Sequence, residues 1–220
     1  MAIKQALASE KFEWNKEAIR NVDAMDLLRL MESTDSTHKM NFMKGIYQKF
    51  APYLPSRYKR MLFFKHIGQR FRKYERKFSE FYEGAVDTIK VLHEKGILMG
   101  ICTNADLKRT EYWLKRYGVD TLIPYRTGRE TKKKYGLKPS PGMLYALLLE
   151  IAKKEHILID RTKVYFVGDN VTDIRAARNG NMKSIAVYSG NGRKEDLEKE
   201  HPDYLIRTVA DIPSIKELFS

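Results

Sequence analysis

The sequence predicts an α/β protein, with a parallel sheet covered by helices on both faces over residues 81–220 and a basic helical segment over residues 1–80. Three observations carry that expectation. Beyond residue 80, the compact apolar runs Ile97–Cys102, Val164–Val167 and Ser184–Val187 alternate with amphipathic helical patterns. Short apolar strands separated by helices indicate a parallel sheet buried on both faces. Before residue 80, apolar residues recur at helical spacing, as in Ala18, Val22, Met25, Leu28 and Met31 and again in Phe64, Ile67, Phe71, Tyr74 and Phe78. Each set forms a stripe on one helix face. The charge changes at the same place: the chain carries +13, and the segment His38–Phe78 holds twelve lysines and arginines against one acid, Glu75.

Each element follows from local signals. Ser33–Thr37 reads as a loop, and Pro52 and Pro55 separate the long Phe64–Phe78 helix from the one before it, because proline disrupts helix interiors and restrains the residue ahead of it. A helix over Ala85–Glu94 ends at Lys95-Gly96, a C-terminal cap signal. The strand Ile97–Cys102 delivers Thr103-Asn104, and a helix carrying Leu107, Trp113 and Leu114 follows. A helix over Gly142–Lys153 buries Met143, Leu147, Leu148 and Ile151. The strand Val164–Val167 runs into Gly168-Asp169, a helix starts near Thr172, and Ser184–Val187 is a further strand. Ligands of such sheets gather beyond the carboxyl ends of the strands.

Composition narrows the class. With 220 residues, 43% hydrophobic and 31% charged, the chain is a folded protein with one core and an accessory lobe, or two small domains. No apolar run approaches the roughly 20 residues that span a bilayer. Lys4, Glu10, Lys11 and Glu13 break up the N-terminus, so it lacks the apolar core of a secretory signal. A single cysteine, Cys102, excludes an internal disulfide, and the expected location is cytoplasmic. Cys102 lies within an apolar strand and reads as a small core residue. The five histidines show no metal-ligand spacing.

Three clusters could do chemistry. In VYFVGDNVTDIRAARNG, Asp169 and Asp173 follow a strand at the start of a helix. Two carboxylates placed so can converge on a hard cation such as Mg²⁺, with water and phosphate completing the shell; alternatively, Thr172 or Asp173 caps the helix. In ILMGICTNAD, Thr103 and Asn104 stand at a strand end, where a hydroxyl and backbone N–H groups can hold phosphate oxygens; the same residues also make an ordinary strand-to-helix turn. In YGLKPSPGMLYALL, Pro139 and Pro141 keep Lys138 in a loop. There it could neutralise a transferring phosphoryl group, or it could be one more solvated surface lysine.

In this order and spacing the three clusters resemble the second, third and fourth motifs of the haloacid dehalogenase-type phosphohydrolases. The flanking FYEGAVDTIKVLHEKG, AARNGNMKSIAVYSG and PDYLIRTVADIPSIKELF are similar to that family's helix before the second motif, its final strands and its closing helix. The resemblance covers residues 81–220 and is nearest to the phosphoglycolate-phosphatase-like branch. It implies a Rossmann-like sheet and makes residues 1–80 a helical cap. It also implies a Mg²⁺-dependent phosphatase acting on a small phosphorylated metabolite. Thr103, Asn104 and Lys138 would hold the phosphate, with Thr103 and Lys138 acting in catalysis. Asp169 and Asp173 would hold Mg²⁺, and Asn170 would be a neighbour without an assigned role. As a cap, the basic lobe could supply Arg57, Lys59 or Arg60 to the substrate's non-reacting end.

One part of the pattern is missing. The family's first motif is a hydrophobic strand ending Asp-x-Asp, which provides the nucleophile and the acid–base. Here Asp23 and Asp26 have the wrong spacing and fall within a helical stripe. By the resemblance, the absent strand would lie between the strand ending at Thr103 and the strand ending at Gly168, leaving unpaired edges. The expectation is a truncated form of a longer enzyme; the alternatives are a strand supplied by a separate chain, or a sheet closed over the gap in a protein without turnover. A different reading is a non-catalytic binding protein whose basic, aromatic-rich lobe contacts nucleic acid or another polyanion. Against nucleic acid, the aromatics fall on one helical stripe, which makes the cations a solvated opposite face.

Overall fold

The computed structural model describes residues 79–190 and 192–219, together with Ser56, Tyr58 and Met61. Met1–Glu80 and Phe81–Ser220 form separate compact units. In the first unit, Tyr58 and Met61 are exposed helical residues. The expected helical stripes, and Arg57, Lys59 and Arg60, lie outside the described residues.

The second unit alternates helices with parallel strands. Its helices are α1 (Ala85–Glu94), α2 (Leu107–Arg116), α3 (Lys132–Tyr135), α4 (Gly142–Glu155), α5 (Val171–Asn179) and α6 (Lys194–Lys199). Its strands are β1 (Gly100–Cys102), β2 (Tyr125–Thr127), β3 (Tyr165–Gly168), β4 (Lys183–Val187) and β5 (Tyr204–Ile206). Gly96 ends α1 with φ 73°, donating to the His93 carbonyl at 2.9 Å, as a left-handed helix terminus requires. The strand expected over Ile97–Cys102 is ordered as β only from Gly100, because its partner β2 offers three residues for pairing. The closing segment forms 3₁₀ turns over Val209–Ser214 and Lys216–Phe219 in place of the expected helix. Pro213 lies inside the first of them and cannot donate to a helical ladder.

The strands form two parallel sheets, β1-β2 and β3-β4-β5. Thr103 N–H bonds the Thr127 carbonyl. Backbone polar groups alternate in direction along a strand, so the N–H and C=O of Cys102 point away from β2. Likewise Lys183 N–H bonds the Val164 carbonyl, which turns the backbone groups of Tyr165 and Val167 away from β4. Among the described residues, β1 and β3 therefore each keep an open edge, and the alternative of a sheet closed over the gap does not hold. Val167, in mid-strand, is 36% exposed, while Ile185 opposite it on β4 is 1% exposed.

One core nevertheless serves both sheets. Met143, Leu144, Leu147 and Ile151 of α4 pack with Cys102 of β1, Tyr125 of β2 and Ala176 and Ala177 of α5, and Val164 and Phe166 lean on the same cluster. Gly100 lets this happen: a Cβ there would stand 3.0 Å from the Leu147 side chain. On the other face of β1, Ile101 joins Leu114, Val119 and Ile123 beneath α1 and α2. Burying a leucine or isoleucine in such clusters stabilises by roughly 2 kcal/mol each. Cys102 is buried, in keeping with a core role, and burial pushes its thiol pKa up, with the nearby Lys138 ammonium opposing.

Candidate active site

The carboxyl ends of β1 and β3 carry Thr103 and Asp169, and Lys138 enters between the two sheets. Its ammonium lies 3.2 Å from the Cys102 carbonyl on the open edge of β1, 2.5 Å from Asp173 Oδ1, and 5.1 Å from the centroid of the Phe166 ring on β3. Lys138 is therefore no surface lysine: its side chain is 12% exposed. The segment Lys138-Pro139 has a cis peptide bond.

Asn104 serves Lys138 directly. Its Oδ1 accepts from Lys138 N–H at 3.0 Å and its Nδ2 donates to the Lys138 carbonyl at 3.3 Å. Both ends of the amide are thus engaged with main chain. The Thr103 hydroxyl accepts from Ala105 N–H at 3.0 Å, which leaves its proton to donate to a ligand.

Asp173 has two functions. Oδ2 accepts from Asn170 N–H at 3.1 Å, while Asn170 Oδ1 accepts from the N–H and hydroxyl of Thr172. This capping box starts α5. The capping alternative raised by the sequence is therefore realised, with Asn170 as the N-cap. Only one carboxylate oxygen is spent on it. Oδ1 is buried and receives no hydrogen bond of good geometry; the Lys138 ammonium is its close cationic neighbour. Asp169, one residue beyond β3, is packed tightly: a Cβ at Gly190 would collide with its carboxylate. Tyr82 is also near, since its phenol pKa is raised by burial and then by the Asp169 charge. Tyr82 was not singled out in the sequence, where an exposed tyrosine ahead of a helix carries no signal.

Mg²⁺ takes oxygen ligands and commonly binds through one or two carboxylates, with water and phosphate filling the rest of the octahedron. Asp169 and Asp173 supply that kind of donor; Asp173 Oδ1, the oxygen not used in the capping box, faces the Lys138 ammonium in this structure. Among the described residues no group of three His, Cys, Asp or Glu side chains is placed to share a metal, and these two carboxylates alone would leave most of an octahedral shell to other oxygen ligands. The residues fit Mg²⁺ on those terms.

The class of protein is thus a parallel α/β unit that carries a hydroxyl, an ammonium and carboxylates at its strand ends. The chain belongs to the haloacid dehalogenase-like hydrolases, whose sequence profile matches residues 2–187. It is 29% identical over 140 residues to the pyrophosphatase PpaX of Halalkalibacterium halodurans, covering 63% of this chain and 61% of that one. It is 24% identical over 155 residues to the phosphoglycolate phosphatase of Haemophilus influenzae, covering 69% and 66%. The chain thus spans less than two thirds of the length of these curated relatives. In fold it is similar to the crystal structure of a predicted phosphoglycolate phosphatase from Haemophilus somnus, with TM-score 0.72, 19% identity and coverage of 98% of this chain and 88% of that one. A haloacid dehalogenase-like hydrolase from Streptococcus pneumoniae gives TM-score 0.63 at 13% identity, covering 97% and 89%. The profile match begins at residue 2 and lends no support to the expectation that the chain is truncated. No helix among the described residues is long and apolar enough to cross a membrane.

Proposed function

We propose that this protein is a Mg²⁺-dependent phosphatase of a small phosphorylated metabolite, with Thr103, Lys138, Asp169 and Asp173 gathered around one phosphoryl group. The observation that carries this reading is the position of the Lys138 ammonium, 3.2 Å from the Cys102 carbonyl and 2.5 Å from Asp173 Oδ1. A buried ammonium at the junction of two strand ends is costly unless it meets anions, and Asp173 is one of them. The two relatives named above, a pyrophosphatase and a phosphoglycolate phosphatase, support a small phosphorylated substrate.

In this reading the Thr103 hydroxyl donates to a phosphoryl oxygen and Lys138 offsets charge on the others. Asn104 positions Lys138 through its main chain and does not touch phosphate. Asp169 and Asp173 hold Mg²⁺, which when bound supplies neutralisation of the equatorial oxygens. Turnover through a covalent intermediate needs a carboxylate nucleophile, and the sequence contains no Asp-x-Asp. We place that carboxylate on a strand entering between the open edges of β1 and β3.

The experiment compares hydrolysis of a small phosphomonoester by this chain and by a version extended at its N-terminus with an apolar strand ending Asp-x-Asp. The extended form should turn over only with Mg²⁺, and replacing its first aspartate with asparagine should abolish activity. Absence of Mg²⁺-dependent hydrolysis in the extended form overturns the reading.

A further inference from the structure

We propose that Arg129 is a specificity-determining residue that grips a second anionic group of the substrate, beyond the phosphate held at Thr103 and Lys138. The inference rests on the phosphatase reading above and deepens it. Beyond β2 the chain passes close against the start of α2 at the extended Gly128, where a Cβ would stand 2.6 Å from the Leu107 side chain and 2.8 Å from Glu130 Oε2, and then makes a 3₁₀ turn over Arg129–Thr131. That turn carries Arg129 back across the end of β1. Its N–H bonds the Ala105 carbonyl at 3.0 Å, and its Nε donates to the Asn104 carbonyl, also at 3.0 Å. The guanidinium is therefore pinned to the residue that follows Thr103 and clamps Lys138.

Only one of its five N–H groups is used in that anchor. Neither terminal nitrogen has a hydrogen bond or ion pair to a described residue. The nearby carboxylates are committed elsewhere: Glu130 Oε1 accepts from Leu107 N–H at 3.1 Å and Asp106 Oδ1 from Lys108 N–H at 2.8 Å, both at the start of α2. The next turn, α3, adds exposed Lys132, Lys133 and Lys134. Arg129 and the three lysines outnumber Glu130 and Asp106, so the loop is a net positive rim. A guanidinium fixed through Nε presents its two outer nitrogens as a fork, the geometry that takes phosphate or carboxylate bidentately. A lysine at 129 would keep the charge and lose the fork.

Calorimetric titration of the full chain with inorganic phosphate and with pyrophosphate, in the presence of Mg²⁺, tests this. Pyrophosphate should bind at least tenfold more tightly than phosphate. Arg129→Gln should erase that margin while leaving phosphate affinity within about twofold, and Arg129→Lys should restore only part of it. Equal binding of the two anions by the parent chain, a margin that survives Arg129→Gln, or equal weakening of both by that substitution overturns the assignment. Lys138→Met separates the two readings. If phosphate binding is absent, or is unchanged by Lys138→Met, the phosphatase reading has failed and the role of Arg129 with it. If phosphate binding needs Lys138 but the pyrophosphate margin does not need Arg129, only the assignment of Arg129 fails.

Discussion

Asn104 and Lys138 are joined by a reciprocal pair of hydrogen bonds, side-chain amide to main chain, at 3.0 and 3.3 Å. The strand end that carries Thr103 thereby sets the position of the lysine it works with. Asn104→Ala should weaken Mg²⁺-dependent phosphate binding by about tenfold, the effect of losing one to two hydrogen bonds of ordinary worth, though Asn104 touches no phosphate. Titration of phosphate into the variant checks this, and unchanged affinity would remove Asn104 from its positioning role.

Lys138 and Asp173 should be strongly coupled in stability. Removing one member of a buried pair strands the other charge, at a cost of about 3 kcal/mol or more. Lys138→Met should therefore lower unfolding stability in urea substantially. Adding Asp173→Asn should recover much of the loss, since asparagine retains an oxygen for the capping box and carries no charge. Simple additivity of the two substitutions would contradict the pairing.

Gly190 is required by space. Its φ is unremarkable, but a Cβ there would collide with the Asp169 carboxylate. Gly190→Ala should displace Asp169, weaken Mg²⁺ binding several-fold and lower the melting temperature by an amount consistent with overpacking of about 1–3 kcal/mol, as read by Mg²⁺ titration beside a melting curve.

Asp203 should give the fold an acid-sensitive contact. Burial raises its pKa, but hydrogen bonds from the N–H and hydroxyl of Ser184, at 2.7 and 2.8 Å, together outweigh that and hold the carboxyl below its ordinary range. A depressed carboxylate pKa contributes stability that is complete above the ordinary value, about 4, and is lost as pH falls through the folded-state value. Asp203→Ala would leave the N–H and hydroxyl proton of the buried Ser184 without their acceptor, while the hydroxyl oxygen keeps the backbone N–H of residue 203, and should cost about 1–2 kcal/mol at neutral pH. Its deficit relative to the parent chain should shrink as the solution is acidified below pH 4. Urea denaturation across that range measures both effects.

Much of the second unit is legible in the sequence because its signals are local. The periodicity of Ala85–Glu94 and the Lys95-Gly96 cap define α1, and the apolar runs at Val164 and Ser184 define β3 and β4. β2 is not legible: three residues, preceded by Pro124 and interrupted by Arg126, show neither alternation nor a run. α6 is a short charged stretch, Lys194–Lys199, without a stripe. The candidate site divides in the same way. Thr103, Asp169 and Asp173 follow visible strand ends, and the paired prolines mark Lys138 as a loop residue. The clamp between Asn104 and Lys138 spans 34 residues and exists only in three dimensions. Arg129 is one of 41 cations, and only the anchor to Asn104 distinguishes it.

The most direct measurement is a crystal structure of the protein grown with Mg²⁺ and tungstate, a phosphate mimic visible by anomalous scattering. Tungstate should lie within hydrogen-bond distance of Thr103 Oγ1 and Lys138 Nζ, with Mg²⁺ held at Asp169 and Asp173. Ordered tungstate and Mg²⁺ at sites remote from these residues and from each other would contradict it.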